Sequence, residues 1–248
     1  MFIAASTQCF SDLSFEEACK QLTDLEYEKV EFFFDAAGTH LNLDETIADV
    51  EGFVAKFRDK SRLLSVAIDI EAMPTDAQLE GVTKIAKALK ITQITIPSAE
   101  LGTPFNSELD RLKRNLLMCS QEGIRLSIRT TNGCLTEDPH TAVELCQAVK
   151  GLGLTLDPSY YLTGPSHTQN LDKLYPYTYH AHLRDSLPDQ FQIPVGLGEI
   201  DYSRIMTGLK KFDYQRILSV CLHPQHIAAS DRPLEMRKMR MLLDSMLI

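Results

Sequence analysis

The sequence predicts an α/β protein folded as a single (β/α)8 barrel. Short apolar, β-rich runs alternate with helix-like stretches of roughly 10–15 residues, the rhythm of parallel βαβ units. Eight such units can be marked out in 248 residues, and a barrel of this kind takes about 250. No GxGxxG follows the first strand, which argues against the doubly wound open sheet, a fold of about five or six strands. No internal repeat, low-complexity tract or domain boundary interrupts the rhythm, so residues 1–248 read as one domain.

The units follow in order. Residues 2–6 (FIAAS) are the first strand, and Ser14 with Glu17 forms a capping box for a helix over Phe15–Leu25. Residues 28–34 (EKVEFFF) are the second strand. Asn42 and Glu45 have the spacing of another box, and Ile47, Val50, Val54 and Phe57 then share one helical face. The third strand is LLSVAID, 63–69, and Thr75 with Gln78 opens the next helix. ITQITIP, 91–97, is the fourth strand, followed by a helix from about Ser107 to Glu122 that ends at Gly123. IRLSIRT, 124–130, is the fifth, and Asp138-Pro139 starts a helix with an N-cap and a proline at its first position. GLTLD is the sixth strand, followed by a short, poorly marked helix near Gln169–Leu174. YTYHAHL, 177–183, is the seventh, with a long loop and then a helix capped by Asp201. QRILSVCL, 215–222, is the eighth, and a last helix opens at Asp231 with Pro233. The glycines of GLG at 151–153 and 196–198 read as structural.

Composition narrows the class. Hydrophobic residues make up 44% of the chain, enough for a substantial core, and the net charge is −9 with a pI near 5.3. No Lys/Arg run offers a basic patch, so nucleic acid is not an expected partner. Six scattered cysteines without a CxxC pair read as free thiols in a reducing compartment. No apolar run approaches the ~20 residues of a membrane span, and MFIAASTQCF lacks the basic start of a signal peptide. A cytoplasmic protein without a membrane partner is the expectation.

Chemistry concentrates between Gly153 and Ser186. Two apolar runs stop at polar groups. The first ends at Asp157-Pro158; the second carries His180 and His182, then Arg184 and Asp185. Alternate strand residues share a face, so the two histidines point the same way. Side chains at the C-terminal strand ends of a barrel meet at one mouth, where such barrels keep their chemistry. Glu31, near the end of the second strand, is placed to line that mouth, and His40 lies in the following loop. Asp185 is expected to orient His182 or pair with Arg184, and Glu199 to support the long loop.

Three segments resemble the xylose-isomerase-like TIM barrels, the family of sugar-phosphate isomerases and epimerases. GLTLDPSYY is similar to that family's sixth-strand metal motif, HAHLRDS to its seventh-strand His-x-x-Asp motif, and PVGLGEIDY to its Gly-x-Gly-Glu-Ile-Asp loop. The resemblance implies one divalent cation (Mn, Mg, Zn or Co) held by Glu, Asp, His and Glu from strands five to eight. It also implies that the metal polarises the sugar and that the two Glu move a proton between carbons. Asp157 and His182 match that pattern. Arg129 and Cys221 stand where the two Glu are expected, and Tyr160 stands where a substrate-binding His is expected.

The residues leave several readings open. One is a divergent isomerase or epimerase. In it Arg129 binds a substrate carboxylate or phosphate in bidentate fashion, Asp157, His182 or Tyr160 handles protons, and proximity to Arg129 keeps Asp157 ionised. Tyr160 and Tyr161 would wall the sugar, and His180 and Glu31 would help bind it. Arg129 could equally pair with an Asp and fill the place of the metal. A second reading is a barrel that binds a sugar-like or anionic ligand, or a protein partner, without turnover. A third is a rebuilt metal site of Asp157, His182, Cys221 and His223, ligand types zinc accepts. Against it, residues two apart on a strand are ~6.6 Å apart. The trinuclear apurinic-endonuclease type of site needs more His and carboxylate ligands than the sequence offers. Barrels of this kind often pair through their helices, so a homodimer is the oligomer to consider.

Overall fold

The computed structural model describes residues 1–247. Eight parallel strands close into a barrel in chain order: β1 (Phe2–Ser6), β2 (Lys29–Phe34), β3 (Leu64–Ile70), β4 (Gln93–Pro97), β5 (Arg125–Arg129), β6 (Gly153–Leu156), β7 (Thr178–Leu183) and β8 (Ile217–Val220). Pairing of Phe2 with Ile217 and Ala5 with Val220 joins the last strand to the first. The strand positions agree with the sequence reading to within two residues at each end, as short runs bounded by turn signals allow.

Helices coat the barrel: α1 (Phe15–Asp24), α2 (Leu43–Ala48), α3 (Val50–Lys60), α4 (Asp76–Leu89), α5 (Phe105–Gln121), α6 (Pro139–Ala148), α7 (Pro158–Thr163), α8 (Tyr202–Lys211) and α9 (Arg232–Leu247). The capping boxes Ser14/Glu17 and Thr75/Gln78 both form. The stretch after Asn42 is not one helix. Asp49 leaves helical geometry, ends α2 and caps α3 through a bond from Gly52 N to its own carboxylate at 2.9 Å.

The sixth unit also differs from expectation. Residues 169–171 are irregular and 172–174 form a turn rather than a helix, and α7 starts directly after β6 instead. Its N-cap is Asp157, which accepts from Ser159 N at 3.0 Å, with Pro158 at the first helical position. The signal was the Asp-Pro pair, the same one that starts α6.

Each strand has an apolar side and a polar side. Phe32, Ile68, Ile94, Ile96, Leu126, Ile128, Leu154, Leu156, Leu218 and Val220 belong to the main core beneath the helices. Their alternates face the lumen. Ala4, Ala67 and Ile217, with Phe2 packed on them, form a separate small apolar cluster. Apart from Phe33, which alternates with Phe32 and Phe34 on β2, the rest of the inward side is largely polar: Gln93, Thr95, Ser127, Thr155, Ser219, Glu31, Asp69, His180 and His182 are all buried. Barrel lumens are normally filled by layers of branched apolar side chains, so this polar column is the first structural pointer to a site.

Candidate active site at the barrel mouth

The middle of the lumen is a hydroxyl layer. Thr155 Oγ1 bonds Thr95 Oγ1 at 2.7 Å and Ser127 Oγ at 2.6 Å, and Gln93 Nε2 donates to Ser127 Oγ at 2.7 Å. Its members come from β4, β5 and β6, whose registers set Thr95 beside Ser127 and Ser127 beside Gly153. Gly153 has no room for a side chain: a Cβ there would lie 2.2 Å from the Tyr179 ring.

Titratable groups continue the column toward the mouth. Glu31 of β2 meets both histidines of β7. Its Oε1 is 2.9 Å from His182 Nε2 and 3.5 Å from His180 Nδ1, and His180 Nε2 bonds Ser219 Oγ at 2.7 Å. Burial lowers both imidazoles to about 4, so they are neutral at neutral pH. Burial pushes the Glu31 carboxyl up, against the pull of His180.

Two arginine–aspartate pairs complete the site. Arg129 Nη1 donates to Asp69 Oδ2 at 2.9 Å, and Nη2 donates to the carbonyls of Ile70 and Glu71 at 2.9 and 3.3 Å. Arg184 Nη2 lies 2.7 Å from Asp157 Oδ2, and Nε donates to the Cys221 carbonyl at 2.7 Å. Burial raises the Asp69 carboxyl to about 6 and the Asp157 carboxyl above its usual range, although in each case the facing arginine pulls it down. Both guanidiniums stay protonated, so three buried carboxylates face two fixed cations. One oxygen of each carboxylate lacks an aligned hydrogen-bond donor: Glu31 Oε2, Asp69 Oδ1 and Asp157 Oδ2.

Above them opens a cavity of about 170 Å3, lined in part by Gln8, Arg129, Tyr160, His182, Arg184 and His223. Arg184 also lies against the rings of Tyr160 and Phe191, 5.7 and 4.7 Å from their centroids, and those two rings are 4.7 Å apart. The loop carrying Phe191 is tied down by the backbone. Gln192 exchanges hydrogen bonds with His223 N and O, and Asp185 Oδ2 accepts from Gly196 N and Gly198 N. Asp185 therefore holds the GLG turn rather than His182 or Arg184. A Cβ at Gly198 would meet the Asp185 carboxylate, which explains that glycine. A larger cavity of about 520 Å3 lies on the outer wall between α1 and α3, and His40 lines it instead of the mouth. The column of buried ionisable groups lies at the other site.

The expected residues are thus sorted. Asp157, His182, Arg129, Tyr160, His180 and Glu31 converge on the mouth and the lumen beneath it. Asp157 takes Arg184 as its partner, not Arg129, and Arg129 takes Asp69. Tyr161 is buried elsewhere, with its hydroxyl on the Thr136 carbonyl. Cys221 Sγ donates to Gln8 Oε1 at 2.8 Å, and burial holds its thiol well above the usual range, so it is not a thiolate. Among the described residues, the ligand atoms of Glu31, His180 and His182 form the metal-type group, all within 4.8 Å of one another; Asp157, Cys221 and His223 are not in it. The sequence reading gives Asp69 and Phe191 no role, and Arg184 only a place in the chemistry-bearing stretch and a pairing with Asp185. Asp69 carried a readable signal: it is a lone acid near the end of an apolar strand, as Asp157 is.

The cation implied at positions 129, 157, 182 and 221 does not fit the residues present. One position is a guanidinium, one a protonated thiol, and the Asp157 carboxylate already faces Arg184.

Comparison with known proteins agrees on the architecture. The family model described as "Xylose isomerase-like TIM barrel" matches residues 19–245. No curated protein matches the sequence. Among solved structures, the probable 3-DHS dehydratase AsbF from Bacillus anthracis superposes with a TM-score of 0.74 at 16% identity, covering 98% of this chain and 99% of that one. A xylose isomerase-like TIM barrel protein from Mycobacterium smegmatis, in complex with magnesium, gives 0.75 at 13% identity over 97% and 95%. An L-ribulose 3-epimerase gives 0.70 at 13% over 99% and 94%. At such identities the likeness is one of fold.

Proposed function

The chain belongs to the xylose isomerase-like TIM barrel family, and on that premise we propose that its mouth binds a small hydroxylated, sugar-like compound and rearranges it by proton transfer, as an isomerase or epimerase does. The observation that carries this reading is the excess of acceptors. Glu31 Oε2 and Asp69 Oδ1 are buried without a hydrogen-bond donor, and a compound rich in hydroxyls supplies donors where the protein does not. The size of the cavity, about 170 Å3, favours a small metabolite, because drug-sized ligands need about 300 Å3 or more.

The residues take different roles. Tyr160 and Phe191 form an aromatic wall. Arg184 keeps Nη1 without a partner, so it, rather than Arg129, offers a free donor to a substrate carbonyl or carboxylate oxygen. Arg129 holds Asp69. Asp157 and His182 are the groups offered for moving a proton: a carboxyl pushed up by burial is a better base than an ordinary one, while the His182 imidazole, lowered to about 4 by burial, is a weaker base than an ordinary one. The named neighbours, a dehydratase and an epimerase, are kinds of enzyme whose reactions can both begin by removing a proton beside a carbonyl.

Arg129 and Cys221, at positions where the family resemblance calls for the proton-moving Glu pair, favour a second reading: a barrel that binds the same kind of compound without turnover. Proton NMR in deuterated water separates the two. Ketopentoses, ketohexoses and a hydroxylated cyclic carboxylate are each incubated with the protein. Loss of the C–H signal beside the carbonyl, abolished by His182→Ala or Asp157→Asn, supports the enzyme. Line broadening without exchange supports the binder. Neither effect with any of these compounds sinks both.

A further inference from the structure

Glu31, His180 and His182 present more acceptors than protons. His180 Nε2 bonds Ser219 Oγ at 2.7 Å. If it donates there, Nδ1 is a bare lone pair, and it faces Glu31 Oε1 at 3.5 Å with no hydrogen-bond partner. Two lone pairs facing each other in a dry lumen repel unless a positive centre lies between them. One proton on His182 Nε2 satisfies the 2.9 Å contact to Glu31 Oε1. It leaves His180 Nδ1 and Glu31 Oε2 unanswered, and both are buried.

We propose that Glu31, His180 and His182 bind one divalent transition ion of the zinc–cobalt type, through a ligand set that shares only His182 with the four positions the family resemblance implies. Two imidazoles and one carboxylate suit such ions better than Mg2+ or Ca2+, which prefer all-oxygen sites. Two of the three spacings are close to what such an ion needs, and the third, between the histidines, is within 4.8 Å. Bonds of about 2.0–2.1 Å in tetrahedral geometry put ligand atoms about 3.4 Å apart. The Glu31–His180 pair already stands at 3.5 Å, and the Glu31–His182 pair, at 2.9 Å, must open by about half an ångström. Ser219 supplies the outer hydrogen bond that a metal-bound imidazole usually makes through its second nitrogen.

Charge and access agree. Arg129 and Arg184 are each matched by an aspartate, so Glu31 is the carboxylate left without a cation. His182 also lines the mouth cavity. Three protein ligands beside a cavity is the arrangement of a site that keeps a position for substrate. This deepens the proposed function, on which it rests: it takes His182 out of the proton-moving set and leaves Asp157.

The test needs no substrate. Protein stripped with a chelator is titrated with Co2+, then with Zn2+. Visible d–d absorption is recorded, and bound metal is counted by elemental mass spectrometry. The expected result is about one ion per chain with the intense absorption of four-coordinate cobalt. His180→Gln should abolish it, Ser219→Ala should weaken it ~10-fold or more, and Cys221→Ser and His223→Ala should leave it unchanged. Each variant's fold is checked by circular dichroism. A folded wild type that retains no ion overturns the site, as does binding unaffected by His180→Gln or lost in Cys221→Ser. An ion bound as expected, with no exchange in any sugar, leaves the site standing and sinks the enzyme reading; exchange without any ion does the reverse.

Discussion

The same eight strands are two different objects on their two sides. Outward, Ile94, Ile96, Leu126, Ile128, Leu154 and Leu156 bury apolar surface under the helices. Such contacts are non-directional, and one branched side chain substitutes for another at modest cost. Inward, Thr95, Ser127, Thr155, His180 and Ser219 hold one another by aimed hydrogen bonds, and each group lost leaves another unpaired. The outer side specifies a barrel; the inner side specifies what this barrel can hold. Changes on the two sides should therefore fail in different ways.

The largest effect is expected inside, at a charge pair. Asp157→Leu strips Arg184 of its carboxylate while leaving the guanidinium buried. Breaking such a pair from one side costs about 3–5 kcal/mol. Urea denaturation should show it as a lower midpoint, and Arg184→Met added to Asp157→Leu should recover much of the loss. A double variant as unstable as the single one would mean that the pair does more than neutralise itself.

Next comes the outer side. Leu126 and Leu154 are wholly buried, and Leu→Ala at either should cost about 2–5 kcal/mol. The proton exchange or ligand binding of whatever protein remains folded should be unchanged. Altered binding in folded Leu154→Ala would break the division between the sides, since Leu154 alternates with Thr155 and touches the site only through its own strand.

A smaller effect is expected with pH. His180 and His182 titrate near 4 in the folded chain, against about 6.5 when unfolded. Between those values the unfolded chain takes up protons that the folded one refuses, so their contribution to stability is complete above about pH 6.5 and is lost as pH falls toward 4. Asp69 acts oppositely. Raised to about 6, it keeps a proton that the unfolded chain has released, and its contribution is lost as pH rises from about 4 to 6. The total is thus partly cancelled, and the readable quantity is a difference. His180→Gln, freed of chelatable metal, should lose less stability than wild type between pH 6.5 and 4.5. Parallel curves for the two proteins would mean that His180 is not held neutral.

The two sides also differed in how far the sequence could be read. Alternation such as ITI, LSI and LTL marks β4, β5 and β6, and short apolar, β-rich runs mark strands such as FIAAS and EKVEFFF, because burial under helices needs only apolar residues on one side. Alternation also marks the inward side on which Glu31, His180 and His182 lie, whereas Arg129 enters through the family resemblance. Their pairing was not readable. Glu31 reaches His182 across 151 residues and Arg129 reaches Asp69 across 60. Which pairs meet depends on how the strands are staggered, including register shifts at Val30/Glu31 and Leu154/Thr155. A one-residue slip changes every partner, and nothing local in LDPSYY says whether Asp157 faces Arg129 or Arg184.

The smallest effect is the sharpest contrast. Thr95→Val, Ser127→Ala and Thr155→Val together replace the three bonded hydroxyls of the middle layer by apolar groups of similar size. Any one alone strands its neighbours and should cost about 1–3 kcal/mol. All three together remove donors and acceptors at once and should lie within about 1 kcal/mol of wild type, because matched apolar replacement is nearly neutral. Gln93 is the side chain left short of a partner by the change, since its Nε2 keeps only the Ile94 carbonyl. If the triple variant is nearly as stable as wild type, the fold does not need a polar lumen, and its polarity has to be explained by what the mouth holds. If the triple variant loses the sum of the single losses, the layer is structural in its own right, and the polar column no longer argues for a site above it.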